Sequence, residues 1–179
     1  MTLPERVGDQ LRIGVSIPIP EPYNSRLTRA RVEAGDPHAY SVPPHVTLLP
    51  PVVVEPDQMG VVVDHLSNVA DLSRPFVMEL SGTESFRPLS QVVFVSLRAG
   101  AQECTALHEA VNAGPLRQDL QFPYHPHVTI AHDVPTNDLD RAEADMAGFD
   151  ALFAVAHFSL YEFGDDGVWR DVSTFVLSS

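Results

Sequence analysis

The sequence predicts an α+β fold in which two related lobes of antiparallel or mixed sheet share a central cleft, with the helices on the outside. Two observations carry this. Segments with the two-residue alternation of strands are interleaved with segments of helical spacing, and the chain finishes in a strand pair. The tetrapeptide Pro-His-Val-Thr occurs at 44–47 and again at 126–129, 82 positions later and at a comparable place in the second half. One two-lobed domain over residues 1–179 accommodates both halves. No short period or low-complexity run points to a solenoid.

Each element has its own signal. Residues 10–19 carry recurring Leu, Ile and Val and stop at Pro18 and Pro20, as a strand does. Residues 21–35 set Leu27, Ala30 and Ala34 at helical spacing, with Gly35 as the stop. His45 to Pro50 reads as a short strand closed by Pro50 and Pro51. Residues 55–72 read as a helix with Pro56 near its start and Asp57 in the first turn. Two strands follow at 75–86 and 91–99, then an amphipathic helix at 101–114 closed by Gly114. Residues 127–134 form a strand, and 136–149 a helix capped by Thr136 or Asn137. The tail, 151–178, reads as a hairpin turning on Gly164-Asp165-Asp166-Gly167.

Composition narrows the function. The start of the chain has no basic region ahead of an apolar run, and no apolar run is long enough to span a membrane. A soluble, cytoplasmic monomer is the default expectation. The single cysteine, Cys104, excludes an internal disulfide and a cysteine-based zinc cage. A net charge of −13 repels polyanions at long range, which argues against a long nucleic-acid duplex but leaves room for a small anion held by local groups. All 11 basic residues are arginine. Mechanisms that need a lysine, whether a P-loop, a Schiff base or an adenylated lysine, are therefore closed to this chain.

Along a strand, alternate side chains share a face, so His45 and Thr47 project together while Val46 and Leu48 anchor the other side. The same holds for His127 and Thr129 against Val128 and Ile130. If the two strands face each other, two imidazoles and two hydroxyls converge. Two imidazoles suffice for phosphodiester chemistry: a neutral one takes the proton of the attacking oxygen and a charged one protonates the leaving oxygen. Threonine hydroxyls can donate to the non-bridging phosphoryl oxygens. The same pattern also suits a plain strand with one wet face.

The two segments, "HVTL" and "HVTI", resemble the paired signatures of the two-histidine phosphoesterase superfamily, which includes bacterial 2′-5′ RNA ligase-like proteins and cyclic nucleotide phosphodiesterases. The resemblance extends over most of the chain, through "SFRPLSQVVFVSL" between the motifs and "GVWRDVSTFVL" at the end. It implies a bilobal fold with a pseudo-twofold axis and a site that needs neither metal nor other cofactor. It implies catalysis by His45 and His127, phosphate binding by Thr47 and Thr129, and a small nucleotide or RNA end as substrate. The chain departs from many relatives in having His132 where a basic residue follows the second motif. The expected reaction is hydrolysis, or reversible ligation, at a 2′,3′-cyclic phosphate or a 2′-5′ linkage. The alternatives are a nucleotide-binding module without turnover and a metal-dependent hydrolase.

Tyr124, His125, His132 and Arg87 are candidate substrate contacts, Tyr124 by stacking on a base and Arg87 by reaching a phosphate. His125, His127, His132 and Asp133 invite a metal reading, but Thr129 stands where the His-x-His-x-Asp-His pattern needs aspartate. Cys104 and His108 share a helix face and read as packing around a small buried thiol. Trp169 reads as a core anchor.

Overall fold

Ile13, Val15 and Ile17 alternate along β1 (Leu11–Pro18) and all three are fully buried, so one face of this strand is core and the other is left for Gly14, Ser16 and Pro18. The computed structural model describes residues 3–178. After β1 come α1 (Tyr23–Glu33), β2 (His45–Val54), α2 (Met59–Asp71), β3 (Phe76–Ser85) and β4 (Val92–Ala99). The chain continues through α3 (Ala101–Val111), β5 (His127–His132), α4 (Thr136–Asp145), β6 (Asp150–Val155), β7 (His157–Phe163) and β8 (Trp169–Val176).

The strands form two four-stranded sheets, ordered β2-β1-β7-β8 and β5-β4-β3-β6, and every pairing is antiparallel. The run β1-α1-β2-α2 recurs as β4-α3-β5-α4. Helices α2 and α3 pack on strands of the first sheet, and α1 and α4 pack on the second. A single apolar cluster runs through both lobes, from Ile13, Leu48 and Phe158 to Val95, Ile130 and Met78. Each such side chain contributes about 1.5–3 kcal/mol when fully buried. Among the described residues no helix is long and apolar enough to cross a membrane.

Three expectations are corrected. Strand β2 runs straight through Pro50 and Pro51 to Val54. It can do so because it is an edge strand, and because its register with β1 jumps from Leu49↔Val15 to Val52↔Ile13, which leaves the two prolines facing Gly14. The tail is not one hairpin: β6 joins the second sheet beside β3, and only β7 and β8 pair around the Gly164–Gly167 turn. Helix α4 takes Pro135 as its cap residue, without a side-chain cap, and Thr136 is already helical. Gly35, at φ +80°, ends α1 as its sequence position suggests.

Both motif strands carry the same irregularity. Thr47 pairs with Ser16 and Leu49 with Val15, leaving Leu48 without a partner; Thr129 pairs with Phe94 and Ala131 with Val93, leaving Ile130 without one. Each His-x-Thr is thus followed by a β-bulge. It buries two successive residues, Leu48 and Leu49 in one lobe and Ile130 and Ala131 in the other.

Candidate active site

Strands β2 and β5 are edge strands of their sheets and contact one another, so the two motifs meet at the junction of the lobes. The alternation expected from sequence holds. Val46, Leu48, Val128 and Ile130 are fully buried, while His45, Thr47, His127 and Thr129 are half-buried on the opposite faces.

The two imidazoles are anchored in the same way. His45 Nδ1 lies 2.6 Å from Pro43 O, and His127 Nδ1 lies 2.7 Å from His125 O. A carbonyl oxygen only accepts, so the proton is on Nδ1 in both rings and Nε2 is left as the reactive nitrogen. Aromatic groups support each ring. His45 lies on Trp169, with centroids 4.7 Å apart, and His127 lies against Phe86 and Phe94 at 4.9 and 5.0 Å. Neither threonine hydroxyl is engaged by another described residue. Two further polar atoms, Ser16 Oγ directly across from Thr47 and Trp169 Nε1 beside His45, are buried without a partner among the described residues.

This packing sets the protonation states. Burial lowers His45 to about 4 against the pull of the Pro43 carbonyl, and the positive charges of Arg31 and a protonated His127 add to the lowering. Burial likewise lowers His127, opposed by the His125 carbonyl and helped by the neighbouring His125 ring. Two consequences follow: a charge on His127 is felt at His45, and both rings are neutral at neutral pH. Arg31, itself buried, is paired with Asp36 at 2.8 Å and donates to the carbonyls of His38 and Val42, so it ties down the loop that delivers the first motif. The backbone N–H of Trp169 reaches Ser41 O in that loop at 3.0 Å.

The four other candidates fall in different places. His125 is exposed beside His127, with its ring edge-on to Phe86 and Phe94, at the rim of the site. Tyr124 is engaged on one side: its hydroxyl donates to Thr47 O at 2.8 Å and one face of its ring stacks on His108 at 4.0 Å. Arg87 is held by Asp140 and Glu143 of α4 and by Ser85, so each of its three guanidinium nitrogens has an acceptor. His132 ends β5, about 17 Å along the strand from His127, and its Nε2 lies 3.1 Å from Asp133. Among the described residues no three His, Cys, Asp or Glu side chains cluster as metal ligands. Cys104 is buried and its thiol is pushed up to about 12 by that burial, which keeps it inert.

The role of the aromatic supports was hidden in the sequence. Trp169 is mostly buried, as a core anchor should be, yet it also carries the His45 ring. Phe94 could have been found only by pairing β4 with β5, since it lies directly across from Thr129.

Known proteins place this arrangement. The chain is 28% identical over 150 residues to a Bacillus licheniformis protein provisionally named a phosphoesterase, an alignment covering 80% of this chain and 86% of the relative. A Bacillus cytotoxicus protein of the same provisional name is 32% identical over 113 residues, 63% of each chain. Among solved structures, apo E. coli LigT superposes with a TM-score of 0.71 at 21% identity, covering 96% of this chain and all of LigT. Protein TT0787 of Thermus thermophilus gives 0.62 at 22% identity, covering 93% of this chain and 98% of its own. The family model described as the 2′-5′ RNA ligase superfamily matches residues 19–167, a span that includes both His-x-Thr motifs, and the chain belongs to that family.

Proposed function

We propose that the chain is a phosphoesterase that opens a 2′,3′-cyclic phosphate or a 2′-5′ phosphodiester on a small nucleotide or an RNA end, using His45 and His127 as its acid–base pair. The observation that carries this reading is the meeting of two Nδ1-anchored imidazoles with two unengaged threonine hydroxyls on adjoining bulged strands. One Nε2 accepts the proton of the attacking water while the other, protonated, gives its proton to the departing ribose oxygen. Thr47 and Thr129 donate to the non-bridging oxygens, where charge accumulates. With a 5′-hydroxyl in place of water as the nucleophile, the same pair opens a 2′,3′-cyclic phosphate into a 2′-5′ diester. The new P–O5′ bond forms as the ring P–O3′ bond breaks, one imidazole takes the 5′-hydroxyl proton, the other protonates O3′, and no ATP is consumed.

The neutral state of both rings fits this cycle. A bound phosphodiester brings the negative charge that favours a proton on one imidazole, so the acid is created when substrate binds. Relatives support the substrate class: E. coli LigT has been solved with 3′-AMP, NADP+, phosphate and ATP.

The test is turnover of 2′,3′-cyclic nucleotides and 2′-5′ dinucleotides in EDTA. Hydrolysis with a bell-shaped pH profile is expected, and His45→Ala or His127→Ala should each cost at least about 10²–10⁴-fold. Full activity in either variant refutes the acid–base assignment. Saturable binding with no product makes the protein a binding module, and activity that returns only with added metal makes it a metal-dependent hydrolase.

A further inference from the structure

The bulge after the first motif is held from outside its own sheet. His108, on α3, has Nδ1 2.7 Å from Leu48 O, and Tyr124, in the loop before β5, donates from its hydroxyl to Thr47 O at 2.8 Å. The two rings stack face to face, with centroids 4.0 Å apart and planes 5° from parallel, so they act on two successive carbonyls as one rigid unit. Those carbonyls belong to the bulge itself, where Leu48 has no strand partner and Thr47 must present its hydroxyl. Tyr124 lies three residues before His127, and Thr47 lies two residues after His45. A single hydrogen bond therefore ties the two motifs together across 77 positions of sequence. Among the described residues no side chain makes the matching bonds to Thr129 O or Ile130 O, so the second motif keeps its place through its own sheet.

We infer that Tyr124 and His108 are positioning residues that set the first motif against the second, fixing the spacing of the His45 and His127 imidazoles through the carbonyls of Thr47 and Leu48. The role rests on the phosphoesterase reading for its effect on rate, although the grip itself is a property of the fold. Both side chains are suited to it. His108 is buried, and burial raises the Tyr124 phenol well above its usual range, so it remains a donor at every working pH. Cys104, one turn before His108 on α3, is buried as an uncharged thiol. A bulge held by two bonds cannot slide along β1, and sliding by one residue would turn His45 and Thr47 to the wrong face.

Three variants test the inference. Tyr124→Phe keeps the stack and removes the donor, His108→Leu removes its donor, and His108→Asn keeps an N–H near the position of Nδ1. Tyr124→Phe and His108→Leu should lower kcat/KM by about 10- to 100-fold, mostly through kcat, and move the limbs of the pH–rate profile. His108→Asn should recover most of the loss. NMR titration of the His45 and His127 ring protons with inorganic phosphate provides a readout independent of turnover. In the native protein both rings respond at one midpoint, and in the two donorless variants the His45 response weakens relative to that of His127. Folded Tyr124→Phe protein with native rates and native ring titrations overturns the inference, as does His108→Asn behaving like His108→Leu. If the native protein turns over no cyclic phosphate, the phosphoesterase reading fails, and the ring titrations still decide the grip.

Discussion

Acidification should destabilise this fold through His45 in a defined window. The ring is lowered from 6.5 to about 4 by burial against Trp169, whereas in the unfolded chain it titrates normally. Above pH 6.5 the ring is neutral in both states and nothing changes. As pH falls, the unfolded chain takes up a proton that the folded chain refuses, so stability is lost from about pH 6.5 down to about pH 4 and then levels off. A gap of 6.5 to about 4 corresponds to about 3 kcal/mol, of which about 2 kcal/mol is gone by pH 5. His127 is also lowered and pushes in the same direction. The Asp166 carboxyl, held by Arg170 at about 2, titrates below this window. Urea denaturation of native protein and His45→Gln at pH 7.5, 6 and 5 isolates the term, because the difference between the two curves removes the other groups. The native protein should lose about 2 kcal/mol more than the variant between pH 7.5 and 5, and saturating phosphate should shrink that loss by stabilising the charged ring. Parallel loss in both proteins would refute the argument, since His45 would then titrate as a solvated histidine.

Thr47→Val and Thr129→Val keep the shape of the side chain and its place on the strand while removing a free donor. Each should lower kcat by about 10²-fold or more with little change in melting temperature, measured by steady-state kinetics beside thermal unfolding. Arg87→Ala, by contrast, should leave phosphate affinity and kcat within about twofold of native and cost about 1 kcal/mol or less in stability, because its guanidinium binds Asp140 and Glu143.

What could be read from sequence was whatever depends on neighbours along the chain. Alternation put His45 and Thr47 on one face and Val46 and Leu48 on the other, and the structure keeps that division in both motifs. The bulges at Leu48 and Ile130 could not be read, because a bulge is a relation between two strands, and β1 lies roughly 30 residues away from its partner. The same blindness made Pro50 and Pro51 look like a stop: their tolerance depends on β2 being an edge strand beside Gly14. The tail was misread because β6 finds its partner in β3, far back in sequence, and not in the strand that follows it. Tyr124 and Arg87 had suitable chemistry for substrate, but acceptors elsewhere in the fold claimed them: a carbonyl for one, two carboxylates for the other.

The strand order constrains how substrate can enter. Strand β3 comes from the first half of the chain and lies inside the second sheet, and β7 and β8 come from the second half and complete the first. The halves are thus plaited, and one apolar cluster fills the space between them. Such a molecule cannot open like a pair of jaws, since any wide swing of one lobe would tear backbone pairs or the shared core. The short segments that border His45 and His127, 36–44 and 119–126, carry the carbonyls of Pro43 and His125 that anchor the two imidazoles. Arg31 staples the first of these segments at His38 and Val42, and Asn112 pins the start of the second through Gln118. The site is therefore bordered by pinned segments over a plaited floor, and its geometry is set by both together.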